Sequence, residues 1–237
     1  DKRQGGAVQA IGRKREELSA QLAELRCPEM INARFHLEAR GSGETVLVSI
    51  RDGSAGYPGR PVLRGLDLDV GSKKRLALVG PNGSGKTTLM RAIMGDGEII
   101  RSGQWRSPSP EDIGYVDQHY GNLEPGRSAL EIMAGARRDW TDGEIRRHLA
   151  DFLFRKNEEV EIQTQYLSGG ERARLSLARI AARPPKLLLL DEITNNIDMD
   201  TRRQIGAVLS GYPAAMICIS HDEDFLDEIE AERWEIQ

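Results

Sequence analysis

Four leucines, Leu187–Leu190, run without interruption in "KLLLLDEITNNIDMD" and end against two acids. A run this short, apolar at every position and bounded by charge, predicts a strand buried on both faces. Ala214–Ile219 repeats the form, and "KRLALVG", Lys74–Gly80, predicts a third such strand, running into a glycine-rich turn and an apolar helix at Lys86–Met94. Strands of this kind alternating with helices predict an α/β fold with a mostly parallel core sheet. Upstream, "TVLVSI" (Thr45–Ile50) and "PVLRGLDLDV" (Pro61–Val70) alternate apolar with polar, with "GYPG" (Gly56–Gly59) as the turn between them. That pattern predicts an antiparallel β subdomain. "TDGEIRRHLADFLF", Thr141–Phe154, opens with Thr141 three residues before Glu144, a capping box, and continues at helical spacing, so a helical subdomain is expected over about 128–182.

At the N-terminal end the period is also helical. Ile11, Leu18, Leu22 and Leu25 share one helix face within Ala7–Arg26, Pro28 stops the helix, and "GSG" at Gly41–Gly43 reads as a hinge. The expected division is a helical arm over 1–43 and a globular domain over 44–237. The first 26 residues hold six basic and four acidic side chains, a net +2 against −6 for the rest of the chain. A solvated helix or a contact with RNA or a protein partner would both suit that balance. The net charge of −4 over 237 residues gives no general reason to expect nucleic acid binding, and a hydrophobic content of 39% is enough for one good core. No apolar run approaches the roughly 18 residues that cross a bilayer, so no direct membrane insertion is expected. Cys27 and Cys218 lack metal spacing and predict free thiols in a reducing, cytoplasmic setting; the start on Asp1 reads as a piece of something longer.

Candidate chemistry begins with "GPNGSGKTT", Gly80–Thr88, which fits G-x-x-x-x-G-K-[ST] through Gly80, Gly85, Lys86 and Thr87. Gly80, Gly83 and Gly85 let backbone N–H groups turn inward around phosphate oxygens, with Asn82, Ser84 and Thr88 completing the loop. Lys86 supplies a point charge for the β and γ phosphates, the Thr87 hydroxyl is placed for Mg2+, and the helix that follows aims its positive end at the anion. Asp191, at the end of the leucine strand, is then expected to hold Mg2+, and Glu192 to face the γ-phosphate, where a carboxylate orients or deprotonates the attacking water.

"LSGGERARLSLARIA", Leu167–Ala181, resembles the signature of ATP-binding cassette proteins, matched at Ser168, Gly169, Gly170 and Glu171. The resemblance implies ATP and Mg2+ as ligands, ATP hydrolysis, and a second cassette as partner, because in that family the signature of one cassette closes over ATP held by the other. It further implies that Gln118 in "GYVDQHY" reaches the metal and the attacking water, that His221 in "ISHDEDFL" is the switch histidine at the γ-phosphate, that Tyr57 stacks on adenine, and that Asp198 belongs to the loop that communicates between cassettes. "DEITNNID" followed by "ISHDEDFL" is most similar to the ABC-F class, whose strings run close to D-E-P-T-N-[HN]-L-D and S-H-D-x-x-F-L. ABC-F proteins join two cassettes by a long helical linker that reaches toward transfer RNA. Gly5–Arg26 and the segment after it resemble the end of that linker, so a C-terminal cassette acting with the ribosome in translation or antibiotic protection is implied. The energy-coupling subunit of a transporter and a cassette that binds ATP without hydrolysing it are the alternatives. Ile193 departs from the family pattern by standing where proline is usual, which frees one φ angle and returns an N–H, so a less rigid loop after Glu192 is expected.

Overall fold

A computed structural model describes residues 31, 46–195 and 197–236. The chain divides into two units, 1–30 and 31–237, and the described residues all belong to the second. The predicted helix at Ala7–Arg26, its stop at Pro28 and the hinge at Gly41–Gly43 lie outside the described residues.

The first two strands are longer than their alternating pattern. β1 spans Val46–Tyr57 and β2 spans Arg60–Gly71, paired antiparallel with Tyr57 opposite Arg60. The turn is therefore Pro58 and Gly59 alone rather than Gly56–Gly59. Proline fixes the first central position, and Gly59 at φ 73° supplies the left-handed one that such a turn needs. β4 (Ile100–Arg106) pairs with the other edge of β1 to complete a three-stranded antiparallel sheet.

The second sheet has five strands in the order β5-β6-β7-β3-β8, every neighbouring pair parallel: β3 is Arg75–Val79, β5 Ile113–Val116, β6 Leu187–Asp191, β7 Ala215–Ile219 and β8 Glu232–Glu235. Its central strands divide by the two-residue period of the pleat. Leu188, Leu190, Ala77, Met216 and Cys218 enter one core, while Leu187, Leu189, Leu76, Leu78, Ala215, Ile217 and Ile219 enter the other. Both faces are covered, which is why the strands read as unbroken apolar runs. The second core also holds β1, β2 and helix α1 (Lys86–Met94), so α1 is packed with residues of both sheets.

The first core holds the helices of the insert: α2 (Ala129–Ala136), α3 (Asp142–Asp151), the short α4 (Asn157–Glu161) and α5 (Gly169–Ala182). After β6 comes α6 (Met199–Ser210), and after β7 comes α7 (Glu223–Glu228). No helix among the described residues is long and apolar enough to cross a membrane.

Candidate nucleotide site

Parallel pairing brings the carboxyl ends of β5, β6, β7 and β3 to one edge of the sheet, and each runs into a loop that the sequence marked: 117–123, 192–195, 220–222 and 80–85. Ligands of open α/β sheets bind at this edge.

Gly85 ends the phosphate loop at φ 101° as the N-cap of α1, and a Cβ there would stand 2.7 Å from Leu63 Cδ2, so only glycine fits. It offers no side-chain cap. Helices α2, α3, α5, α6 and α7 start on the side chains of Ser128, Thr141, Ser168, Asp198 and Asp222, whereas the first N–H groups of α1 are left for an external acceptor, where the positive end of the helix favours an anion. Lys86 is buried, its Nζ donating to the carbonyls of Gly80 (2.8 Å) and Pro81 (3.0 Å) across the loop. Both partners are neutral carbonyls, so no carboxylate within the loop competes with a ligand for the ammonium. Ser84 Oγ is shielded from solvent and has no hydrogen-bond partner among the described residues. Asn82 and Gly83 form the exposed crest, and Thr88 is buried.

Thr87 Oγ1 donates to Asp191 Oδ2 at 3.0 Å, joining the start of α1 to the end of β6. Tyr115, which the sequence reading passed over, donates its hydroxyl to the same oxygen at 3.3 Å. Its place on β5 three residues before Gln118 was the available signal. Burial pushes the Asp191 carboxyl above its ordinary pKa; Thr87 and Tyr115 pull it back, and Glu192 and Asp117 push it further up. A hydroxyl and one part-buried carboxylate are a hard-oxygen donor pair that suits Mg2+, which takes one or two carboxylates and substrate phosphates rather than an all-protein cage.

A raised carboxyl pKa means that the folded state disfavours the anion, so the cost is present above the folded pKa and relieved on protonation. Asp191→Asn is therefore expected to raise the melting temperature at neutral pH in EDTA. A rise of roughly 2–4 °C, the response of a domain this size to about 1 kcal/mol, is the scale expected for a part-exposed group. Differential scanning fluorimetry checks it, and a lower melting temperature would contradict the reading.

Glu192 sits at φ 54°, a left-handed conformation that costs a non-glycine residue on the order of 1–3 kcal/mol. Its N–H donates to Ile219 O at 2.9 Å, Asn195 Nδ2 donates to its Oε2 at 2.7 Å, and His221 Nε2 lies 3.6 Å from its Oε1. Asn195 thus aims the carboxylate. Ile193 is buried in the first core, and its carbonyl accepts from the Tyr120 hydroxyl at 2.9 Å. Burial pushes the Tyr120 phenol up to about 12, with Asp117 adding to it, so it remains a donor at neutral pH. The freedom expected from losing proline meets this anchoring instead.

Gln118 is half-buried in the turn after β5, a turn tied by Asp117 Oδ1 accepting from the N–H groups of His119 and Gly121. Tyr57 lies at the tip of the β1-β2 hairpin, its hydroxyl 3.2 Å from Arg91 Nη1 on α1, with the guanidinium 5.9 Å from the ring centroid. The signature occupies the start of α5, with Ser168 and Gly169 exposed and Gly170 buried. Ser168 and Glu171 close on each other as a capping box, at 2.8 and 3.3 Å for the two backbone bonds. A Cβ on Gly170 would stand 2.8 Å from Thr201 Oγ1, so α5 meets the start of α6, where Asp198 caps the helix through Thr201 and is held below the usual carboxylate range by those bonds.

A strand, an uncapped helix start with lysine and threonine, and an acid at the end of β6, one strand removed across β7, define a phosphate-loop nucleotide-binding domain. Residues 63–195, more than half of the chain, match the family model described as ABC transporter. "ATP-binding protein Uup" of Haemophilus influenzae is 31% identical over 97% of this chain and 35% of its own length. "Probable ATP-binding protein YheS" of Escherichia coli K12 is 34% identical over 81% of this chain and 30% of its own. A solved structure of a bacterial Atm1-family ABC exporter with ATP bound shares the fold, with a TM-score of 0.63 and 24% identity over 84% of this chain and 38% of that one. The chain belongs to the ATP-binding cassette family, in the ABC-F branch that includes Uup and YheS. It spans about a third of the length of these curated relatives.

Proposed function

We propose that this cassette hydrolyses ATP, with the nucleotide held between the phosphate loop of one cassette and the signature of another. The observation that carries the reading is that Thr87 meets Asp191 and His221 meets Glu192 at one strand edge. The loop N–H groups and Lys86 bind the β and γ phosphates, and Tyr57 offers its exposed ring to adenine. Glu192, aimed by Asn195, takes a proton from the attacking water as its oxygen bonds to the γ phosphorus and the bond to the β-bridging oxygen breaks, releasing ADP and phosphate. Gln118 orients that water, and His221 donates to a γ-phosphate oxygen. Thr87, Asp191 and Gln118 would hold Mg2+, which screens charge on the phosphates when bound.

The exposed start of α5 would offer the second phosphate surface once the Ser168 hydroxyl, which donates to Glu171 Oε2 at 2.7 Å, turns outward, and Asp198 lies beside it for contact with a partner cassette. The match to Uup runs over 97% of the chain, so it extends into the N-terminal arm; this supports reading 1–43 as the end of an interdomain linker and 44–237 as the cassette that follows it. On that reading the full protein is a cytoplasmic tandem cassette that acts at the ribosome, near transfer RNA.

Turnover measured across a protein dilution series tests the sandwich. Specific activity of this chain alone is expected to be low and to rise with concentration, and fast turnover independent of concentration would contradict it. Co-sedimentation of the Glu192→Gln protein with ribosomes in ATP tests the target, and its absence from the pellet would remove the ribosomal part.

A further inference from the structure

Arg202 stands one turn into α6 and belongs to none of the motifs. Its side chain is only 11% exposed, and it faces three acids at the N-cap and on the near side of α7: Asp222 Oδ2 at 2.8 Å from Nε, Glu228 Oε2 at 3.4 Å from Nη1 and Asp224 Oδ2 at 3.6 Å from Nη2. Its backbone N–H donates to Asp198 O at 2.9 Å. One residue thus touches the cap of α6 through its main chain and the cap of α7 through its guanidinium.

The Asp222 carboxylate is divided between two tasks. Oδ1 accepts from Phe225 N–H at 2.9 Å, capping α7, and Oδ2 takes Arg202. The Asp222 N–H donates to Ser220 Oγ at 3.1 Å, so the loop on both sides of His221 is fixed by this aspartate. Gly206, one turn beyond Arg202, makes room for the clamp: a Cβ there would lie 2.2 Å from Glu228 Oε2. Ser210 Oγ closes the far end, its one hydroxyl proton within reach of Gly206 O at 2.8 Å and Glu228 O at 2.9 Å.

We infer that Arg202 is a positioning residue that couples the Asp198 turn to His221, so that a partner's contact at Asp198 sets where the histidine stands relative to Glu192. This rests on the hydrolytic reading for its effect on turnover, while the coupling itself rests on the clamp. Without the guanidinium, Asp222 and Glu228 are left as part-buried negative charges with their shared cation gone, and the loop that carries His221 is pushed away from α6. Asp224 is 88% exposed and contributes little.

The test combines steady-state kinetics of this chain with the His221 ring resonances in a histidine-selective NMR spectrum. For Arg202→Gln, kcat is expected to fall about tenfold, within the range that positions of this kind exert, with the KM for ATP within about twofold. The His221 resonance moves, Arg202→Lys recovers most of both changes, and Asp224→Asn behaves as wild type. Asp198→Ala moves the His221 resonance in the wild-type background and fails to move it in Arg202→Gln. If Arg202→Gln does not fold, Asp222→Asn carries the same test, because asparagine keeps the helix cap and removes only the charge. A folded Arg202→Gln protein with an unmoved His221 resonance, or an Asp198→Ala shift that persists without Arg202, overturns the coupling. A moved resonance in a protein whose wild type shows no turnover at any concentration would uphold the coupling and remove the hydrolytic reading.

Discussion

Lys86→Ala is expected to weaken ATP binding by at least about a hundredfold while leaving the fold in place. Charge-assisted hydrogen bonds contribute roughly 1.5–3 kcal/mol each, and this ammonium would make them to two phosphates inside a buried loop. In the protein itself the Nζ makes two bonds to neutral carbonyls, those of Gly80 and Pro81. Their loss is a cost to stability on the order of 1 kcal/mol, or about 2–4 °C in melting temperature. Binding and stability therefore separate in this variant. Isothermal titration with ATP and a thermal melt of the same sample check both, and an affinity within threefold of wild type would remove Lys86 from the phosphate site.

The buried half of the fold was legible because its strands are apolar on both faces. Leu187–Leu190 and Ala214–Ile219 owe their unbroken pattern to two cores that share one sheet, and no hairpin strand needs such a run. β4 and β8 left no such trace. Ile100–Arg106 is exposed at six of its seven positions, and Glu232–Glu235 at three of its four. Both are edge strands, held by main-chain bonds to a neighbour, and their side chains carry little of the information. The hairpin turn was misjudged for a related reason: Gly56 looks like a turn residue but is a strand residue pressed against the opposite backbone, where a Cβ would meet Arg60 O at 2.4 Å.

At the site, the sequence points to candidates whose spacing is fixed by the backbone and is silent on contacts made between distant segments. The phosphate loop is local, since nine consecutive residues contain it. Tyr115 on Asp191, Tyr120 on the Ile193 carbonyl and Arg202 on Asp222 are contacts over 76, 73 and 20 residues, and nothing in a single sequence pairs them. Ile193 shows what that hides. As a departure from the family pattern it pointed to a looser loop, yet its side chain is an anchor in the first core and its carbonyl is held from the loop of Gln118.

That anchoring bears on the second large effect, expected for Glu192→Gln: ATP still binds, hydrolysis falls by about 10²–10⁴-fold as for loss of a general base, and the protein accumulates as a closed pair. Glutamine keeps an oxygen for Asn195 and the same length, and it inherits the φ of 54° that Glu192 already adopts, so the geometry around the γ-phosphate survives. What is lost is the proton acceptor and one negative charge beside a polyanion, and the second loss favours binding. Single-turnover phosphate release, with light scattering in ATP against ADP, measures both parts. Equal hydrolysis by wild type and Glu192→Gln would take the base role from Glu192. The proton would then pass to the phosphate itself or to another group at the site, and Asp191, whose Oδ2 is engaged by Thr87 and Tyr115, keeps only Oδ1 for that task.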